Sequence, residues 1–139
     1  MAKTIGILYL CTGPYRLFWD DFYRTLEANF LPETKKRYFV FCDDLDALKE
    51  GYGENERVRL IHLDAMPWPL ITLLRFRYFL SIEDDLKSCD YLMFSNANIA
   101  CEQTVTEAEF LPEYAAGENM SFVQHPGYWH KPACNAPLE

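Results

Sequence analysis

The sequence predicts an α/β domain in which a mostly parallel sheet is flanked by helices. Three observations predict it. Four apolar runs have strand length, and the first is continuous and not alternating, as in strands buried on both faces. Two longer stretches repeat their apolar residues at spacings of three and four, as helices do. The order of these segments is strand, helix, strand, strand, helix, strand, which suits parallel strands joined by crossovers. A chain of 139 residues holds one compact domain and not two, so residues 1–139 are read as a single unit.

The first strand is residues 4–11 (TIGILYLC), closed by Thr12-Gly13-Pro14. From Tyr15 the pattern becomes helical: Tyr15, Phe18, Trp19, Phe22, Tyr23, Leu26 and Phe30 fall on one face, and Pro32 ends the run. Residues 37–42 (RYFVFC) form the second strand, and Asp43, Asp44 and Asp46 follow in a polar loop. Gly51 and Gly53 mark an irregular stretch, residues 58–63 a third strand, and residues 66–69 (MPWP) a turn. A single long helix is expected over residues 70–86, a fourth strand over residues 91–94, and a short strand over residues 122–125. In parallel α/β sheets ligands sit at the carboxyl ends of the strands. The loops 11–15 and 95–98 meet that condition.

Composition removes several function classes. Half the residues are hydrophobic and 16% are aromatic, enough for a packed core. The 13 basic and 21 acidic side chains leave a net charge of −8, which argues against nucleic acid and anionic lipid as partners. Five cysteines, an odd number without a CxxC pair, suit neither a disulfide scaffold nor a zinc site. Cys11, Cys42 and Cys89 read as small buried hydrophobes in a reducing compartment. No run approaches the roughly 20 apolar residues of a membrane span. The N-terminus lacks a signal-peptide pattern, so the expected location is the cytoplasm.

The candidate chemistry lies in the strand-end loops. Thr12-Gly13-Pro14-Tyr15 is neither a GxGxxG fingerprint nor a Walker A loop. It is a tight turn with free backbone N–H groups and an aromatic ring, which either stacks on a nucleobase or starts the helix core. Asp43, Asp44 and Asp46 suit a Mg²⁺ or phosphoacceptor site, or a solvated turn that caps the next segment. Asn96 and Asn98, at i and i+2 after an apolar strand, project to one side and can bond phosphate or sugar oxygens. The competing reading is an ordinary asparagine-rich turn. His125, Tyr128, Trp129 and His130 sit together with Pro126 and Gly127, a composition that suits a carbohydrate subsite or a plain aromatic turn. The histidines lack metal-ligand spacing, and His62 reads as a core residue.

Five segments together carry a resemblance: residues 5–23 (IGILYLCTGPYRLFWDDFY), 37–44 (RYFVFCDD), 68–76 (WPLITLLRF), 89–99 (CDYLMFSNANI) and 124–129 (QHPGYW). In order and spacing the chain resembles glycosyltransferase family 6, which includes the ABO blood-group transferases. The resemblance implies a GT-A fold and retaining α-1,3 transfer of galactose or N-acetylgalactosamine from UDP-Gal or UDP-GalNAc. The implied acceptor is a galactoside or fucosylated glycan. Thr12 and Tyr15 match the positions that hold uridine. Trp68, Thr72 and Arg75 match the segment beside the donor sugar, with the arginine reaching its hydroxyls or the diphosphate. Asn96 and Asn98 match the two ends of the family's DxD motif. His125, Tyr128 and Trp129 match the acceptor subsite.

Two departures shape the expectation. Asn96-Ala97-Asn98 stands where DxD would bind a metal, as in the bacterial members that work without one, so no metal or other cofactor is expected. The chain reaches about halfway along a typical family member, so the catalytic glutamate is expected in the other half. This chain would then be a donor-binding portion with an incomplete sheet, prone to self-association and without turnover alone. The alternative is a UDP-binding or interaction module that never turns over.

Overall fold

The computed structural model describes residues 2–111 and 120. The chain divides into two compact units, residues 1–107 and 108–139, and nearly all described residues belong to the first. That unit is built on a four-stranded sheet in the order β3-β2-β1-β4: β1 Thr4–Leu10, β2 Lys35–Cys42, β3 Val58–His62 and β4 Tyr91–Ser95. All three pairings are parallel, with Leu8 opposite Phe39, Tyr38 opposite Val58, and Tyr9 opposite Ser95. The α/β reading is therefore correct. The expected strand at residues 122–125 lies outside the described residues.

Parallel neighbours need a crossover, and this requirement accounts for an element that sequence patterning did not predict. Between β2 and β3 the polar loop turns into α2, Asp46–Tyr52. Its first turn is held by Asp44, whose Oδ1 accepts from the Ala47 N–H at 3.2 Å. The acidic cluster thus serves a turn here, with Leu48 the buried residue of the short helix.

The first helical stretch is two elements. A 3-10 helix, Gly13–Phe18, carries Pro14 in its first turn, and α1, Trp19–Asn29, follows. Trp19, Phe22 and Leu26 are the buried stripe of α1. Trp19 meets Tyr9 at 5.2 Å and Tyr38 at 5.7 Å between ring centroids, and Phe22 meets Tyr9 at 4.3 Å. Offset and edge-on aromatic pairs of this kind add to the burial of their area. Tyr15, Leu17 and Phe18 are exposed. The expectation that Tyr15 and Phe18 begin the core face fails because the 3-10 turn rotates them away from the sheet.

The predicted helix 70–86 is three short ones: α3 Leu70–Leu73, α4 Arg75–Leu80 and α5 Glu83–Leu86. Leu74 (φ −94°, ψ 2°) and Ile82 (φ −119°, ψ 25°) leave the helical region and break it. Phe79, Ile82 and Leu86 pack on Leu8, Phe39 and Phe41, covering the sheet face opposite α1. Leu73, Phe76 and Leu80 remain exposed. A further short helix, α6, is Glu107–Phe110.

Gly6 is required by close packing. A Cβ there would lie 2.9 Å from both Cys89 Sγ and Leu92 Cδ2, and 3.2 Å from a Phe39 ring carbon. Cys11 and Cys42 are fully buried, as expected of small hydrophobes, and desolvation raises both thiol pKa values. Cys89 is half-buried, and Cys134 lies outside the described residues. His62 is exposed and pairs with Asp64 at 2.8 Å, so the core reading of this histidine is corrected. It ends β3, the outermost strand of the sheet among the described residues. Among the described residues no helix is long and apolar enough to cross a membrane.

Candidate functional site

The strand order creates a site before any side chain is considered. From β1 the chain moves to β2 and then β3 on one side, whereas β4 returns to the other side of β1. The connections leaving β1 and β4 diverge, and a crevice opens beyond their carboxyl ends. A cleft of about 420 Å³ lies there, lined by the loops after β1 and β4 and by the segment from Ala65 to Arg75. Thr12, Tyr15, Trp68, Thr72, Arg75, Asn96 and Asn98 all line it. Seven residues singled out from three separate stretches of sequence therefore meet at one cleft.

Each wall has a structural cause. On the first wall Gly13 has φ +60°, a conformation that glycine adopts without steric cost. Its N–H donates to Asp43 Oδ1 at 2.8 Å, and its carbonyl accepts from Arg16 Nη1 at 3.2 Å. The Gly13 N–H is thus already engaged, which corrects the expectation of a turn with free backbone donors. That hydrogen bond is the main reason the Asp43 carboxyl is held below its ordinary pKa. The bond from loop 43–46 fixes the turn that presents Tyr15, a residue 54% exposed. An aromatic ring held open at a strand end can stack on a flat base.

The second wall is the stretch before and through α3. Trp68 is 82% exposed, and Thr72 offers a hydroxyl. Arg75, half-buried, rests its guanidinium 4.6 Å from the Phe94 ring centroid and 5.3 Å from that of Phe76. Among the described residues Arg75 makes no ion pair and donates no hydrogen bond. It is also the single cation lining the cleft, and no carboxylate lines it among the described residues. In a chain of net charge −8 this is a local reversal of sign.

The third wall is the loop after β4. Asn96 and Asn98 are exposed, whereas Ala97 between them is buried. The Tyr9 hydroxyl, fully buried, donates to the Ala97 carbonyl at 2.9 Å. Burial raises the Tyr9 pKa, so this group stays a neutral donor. The bond turns residue 97 inward and leaves the flanking amides facing outward. Asparagine amides supply both donors and acceptors, but no charge to offset the dehydration of a hard cation. Among the described residues there is no group of three or more His, Cys, Asp or Glu suited to a metal.

Tyr9 and Phe94 have no place among the candidates drawn from sequence, and Asp43 was singled out there for a metal, phosphoacceptor or capping role and not for holding the 13–15 turn. The lateral pairing of Tyr9 with Ser95 is the signal that brings Tyr9 under the 95–98 loop, and only the sheet register supplies it. His125, Tyr128 and Trp129 lie outside the described residues.

No family model matches the chain. The chain is similar to the O-antigen biosynthesis glycosyltransferase WbnI of Escherichia coli, with 37% identity over 135 residues. The match covers 97% of this chain and 54% of that protein, so the chain spans about half the length of this curated relative.

Proposed function

We propose that this chain is the donor-binding portion of a retaining glycosyltransferase of family 6, which transfers Gal or GalNAc from a UDP-sugar to a galactoside. One observation carries the reading: Tyr15, Arg75, Asn96 and Asn98 line a single cleft at the divergence of β1 and β4, where Arg75 is the only charged side chain among the described residues. The name of the Escherichia coli relative, an O-antigen biosynthesis glycosyltransferase, supports the same chemistry.

In this reading the uracil stacks on Tyr15 and Thr12 bonds the nucleoside. The diphosphate faces the Arg75 guanidinium, whose N–H groups form charge-assisted bonds to phosphate oxygens. Asn96 and Asn98 donate amide N–H groups to the phosphates or the sugar. Trp68 and Thr72 lie against the hexose. Among the described residues no carboxylate lines the cleft to hold a metal, so in this reading Arg75 offsets the diphosphate charge that a cation meets in DxD sites, and the amides add neutral hydrogen bonds. The group that stabilises positive charge at the anomeric carbon, and most of the acceptor site, belong to the half of the protein that the relative has beyond this match.

The experiment is a binding and turnover pair. The protein is titrated with UDP, GDP and dTDP in EDTA, and UDP-Gal and UDP-GalNAc are tested for hydrolysis and for transfer to galactose and fucosylated galactose. The expected result is selective UDP binding, with the sugar transferred where the remaining half is supplied. Equal affinity for all three nucleotides, or no binding, contradicts the donor-site reading. UDP binding with no transfer in the complete protein favours the non-catalytic module.

A further inference from the structure

We propose that Phe94 is a positioning residue for the anion-binding arginine: its ring face holds the Arg75 guanidinium at the height of the 95–98 loop. The proposal deepens the donor-site reading and rests on it for the identity of the anion.

Arg75 begins α4, immediately after the break at Leu74, and its side chain must reach back to the cleft from a short helix. An arginine in that setting needs a partner to fix it, since its long side chain has many rotamers to lose. Among the described residues none is paired with it. Its contacts are aromatic. Phe76 is its chain neighbour and is itself 64% exposed, so fewer neighbours hold its ring in place. Phe94 belongs to β4 and is anchored from behind by Phe79, at 5.7 Å between ring centroids, in the buried cluster with Leu8, Phe39 and Phe41. The guanidinium lies closer to Phe94, at 4.6 Å, within the range of a cation–π contact.

The choice of an aromatic over a carboxylate has a chemical consequence. A carboxylate would take up the N–H fork of Arg75 and place a negative charge beside an incoming anion. A ring face attracts the cation and leaves its in-plane N–H donors free. Phe94 is also two residues from Asn96. One strand therefore fixes both the guanidinium and the amides, so that groups from two elements converge on one diphosphate.

The test replaces Phe94 by Leu and, to keep volume and flexibility without a π face, by Met; Phe94→Tyr restores the ring. UDP, uridine and inorganic pyrophosphate are titrated in EDTA against each, with thermal melting to verify folding. The NMR signal of the Arg75 Nε–H proton reports ring current from Phe94. Phe94→Leu and Phe94→Met are expected to weaken UDP and pyrophosphate by about threefold to tenfold, the scale of one partly desolvated cation–π contact. Uridine should change less than about twofold, the Arg75 proton should lose its upfield displacement, and Phe94→Tyr should restore both. Equal losses for uridine and UDP, unchanged pyrophosphate affinity in folded Phe94→Met, or a Tyr variant as weak as Leu overturns the proposal. If the wild-type protein binds pyrophosphate and not UDP, the nucleotide reading fails while the Phe94 variants still test positioning. If it binds no anion, both fail.

Discussion

Replacing Tyr9 by Phe removes one oxygen atom and tests whether the core governs the cleft. The ring remains, so the contacts of Tyr9 with Trp19 and Phe22 are kept. The Ala97 carbonyl, in a residue that is 8% exposed, loses its donor. A buried acceptor left without a partner costs about 1–3 kcal/mol. The lower half of that range applies here, because the loop on the cleft side is open and water can reach Asn96 and Asn98. A loss of about 1–2 kcal/mol, with a urea m-value of about 2 kcal/mol/M, lowers the unfolding midpoint by about 0.5–1 M at constant m. The assay is urea unfolding followed by tryptophan fluorescence, paired with amide hydrogen exchange. Exchange should accelerate at residues 96–98 and stay unchanged in α1. An unaltered midpoint together with unaltered exchange at 96–98 would show that the hydroxyl does not hold the loop.

Four further outcomes follow from the same geometry. Gly6→Ala places a methyl group 2.9 Å from Cys89 Sγ and Leu92 Cδ2, and should cost about 1–3 kcal/mol in urea unfolding while UDP affinity stays within about twofold. Cys11 and Cys42, fully buried with raised thiol pKa values, should resist iodoacetamide at pH 8 in the native protein, and peptide mapping should show both modified only after unfolding. Tyr15→Ala should weaken UDP and uridine alike by about 1–3 kcal/mol in calorimetric titration, the scale of one lost base stack. The double change Asn96→Asp with Asn98→Asp should weaken UDP binding in EDTA by setting two carboxylates beside the diphosphate, and Mn²⁺ should partly restore it.

The strands were legible because burial on both faces leaves little ambiguity in runs such as TIGILYL and RYFVFC. The two helical stretches were legible in position and not in continuity. Apolar spacing persists across Leu74 and Ile82, whose backbone breaks the helix without a proline or glycine to announce it. Tyr15 and Phe18 keep helical spacing with Trp19 yet lie exposed, because a 3-10 turn shifts the face by its tighter winding, which decides against the core alternative for Tyr15. Helix α2 was hidden in a polar stretch with two glycines, and only the parallel pairing of β2 and β3 requires it. Within the cleft, the residues that face outward were found from sequence. Those that hold them, Tyr9, Asp43 and Phe94, act through sheet register and through contacts 30 to 88 positions away or across elements, which local pattern does not encode.

The central claim is that the cleft beyond β1 and β4 binds a nucleoside diphosphate through Arg75. Calorimetric titration of UDP and uridine into the wild-type protein and Arg75→Ala, in EDTA and again with Mn²⁺, tests it most directly. Wild-type protein is expected to bind UDP in EDTA, with Mn²⁺ changing the affinity by less than about tenfold, or 1.4 kcal/mol. Arg75→Ala is expected to weaken UDP by about tenfold or more, since hydrogen bonds to charged groups contribute about 1.5–3 kcal/mol, and to leave uridine within about twofold. Equal losses for UDP and uridine, or UDP binding that appears only with Mn²⁺, would contradict the central claim.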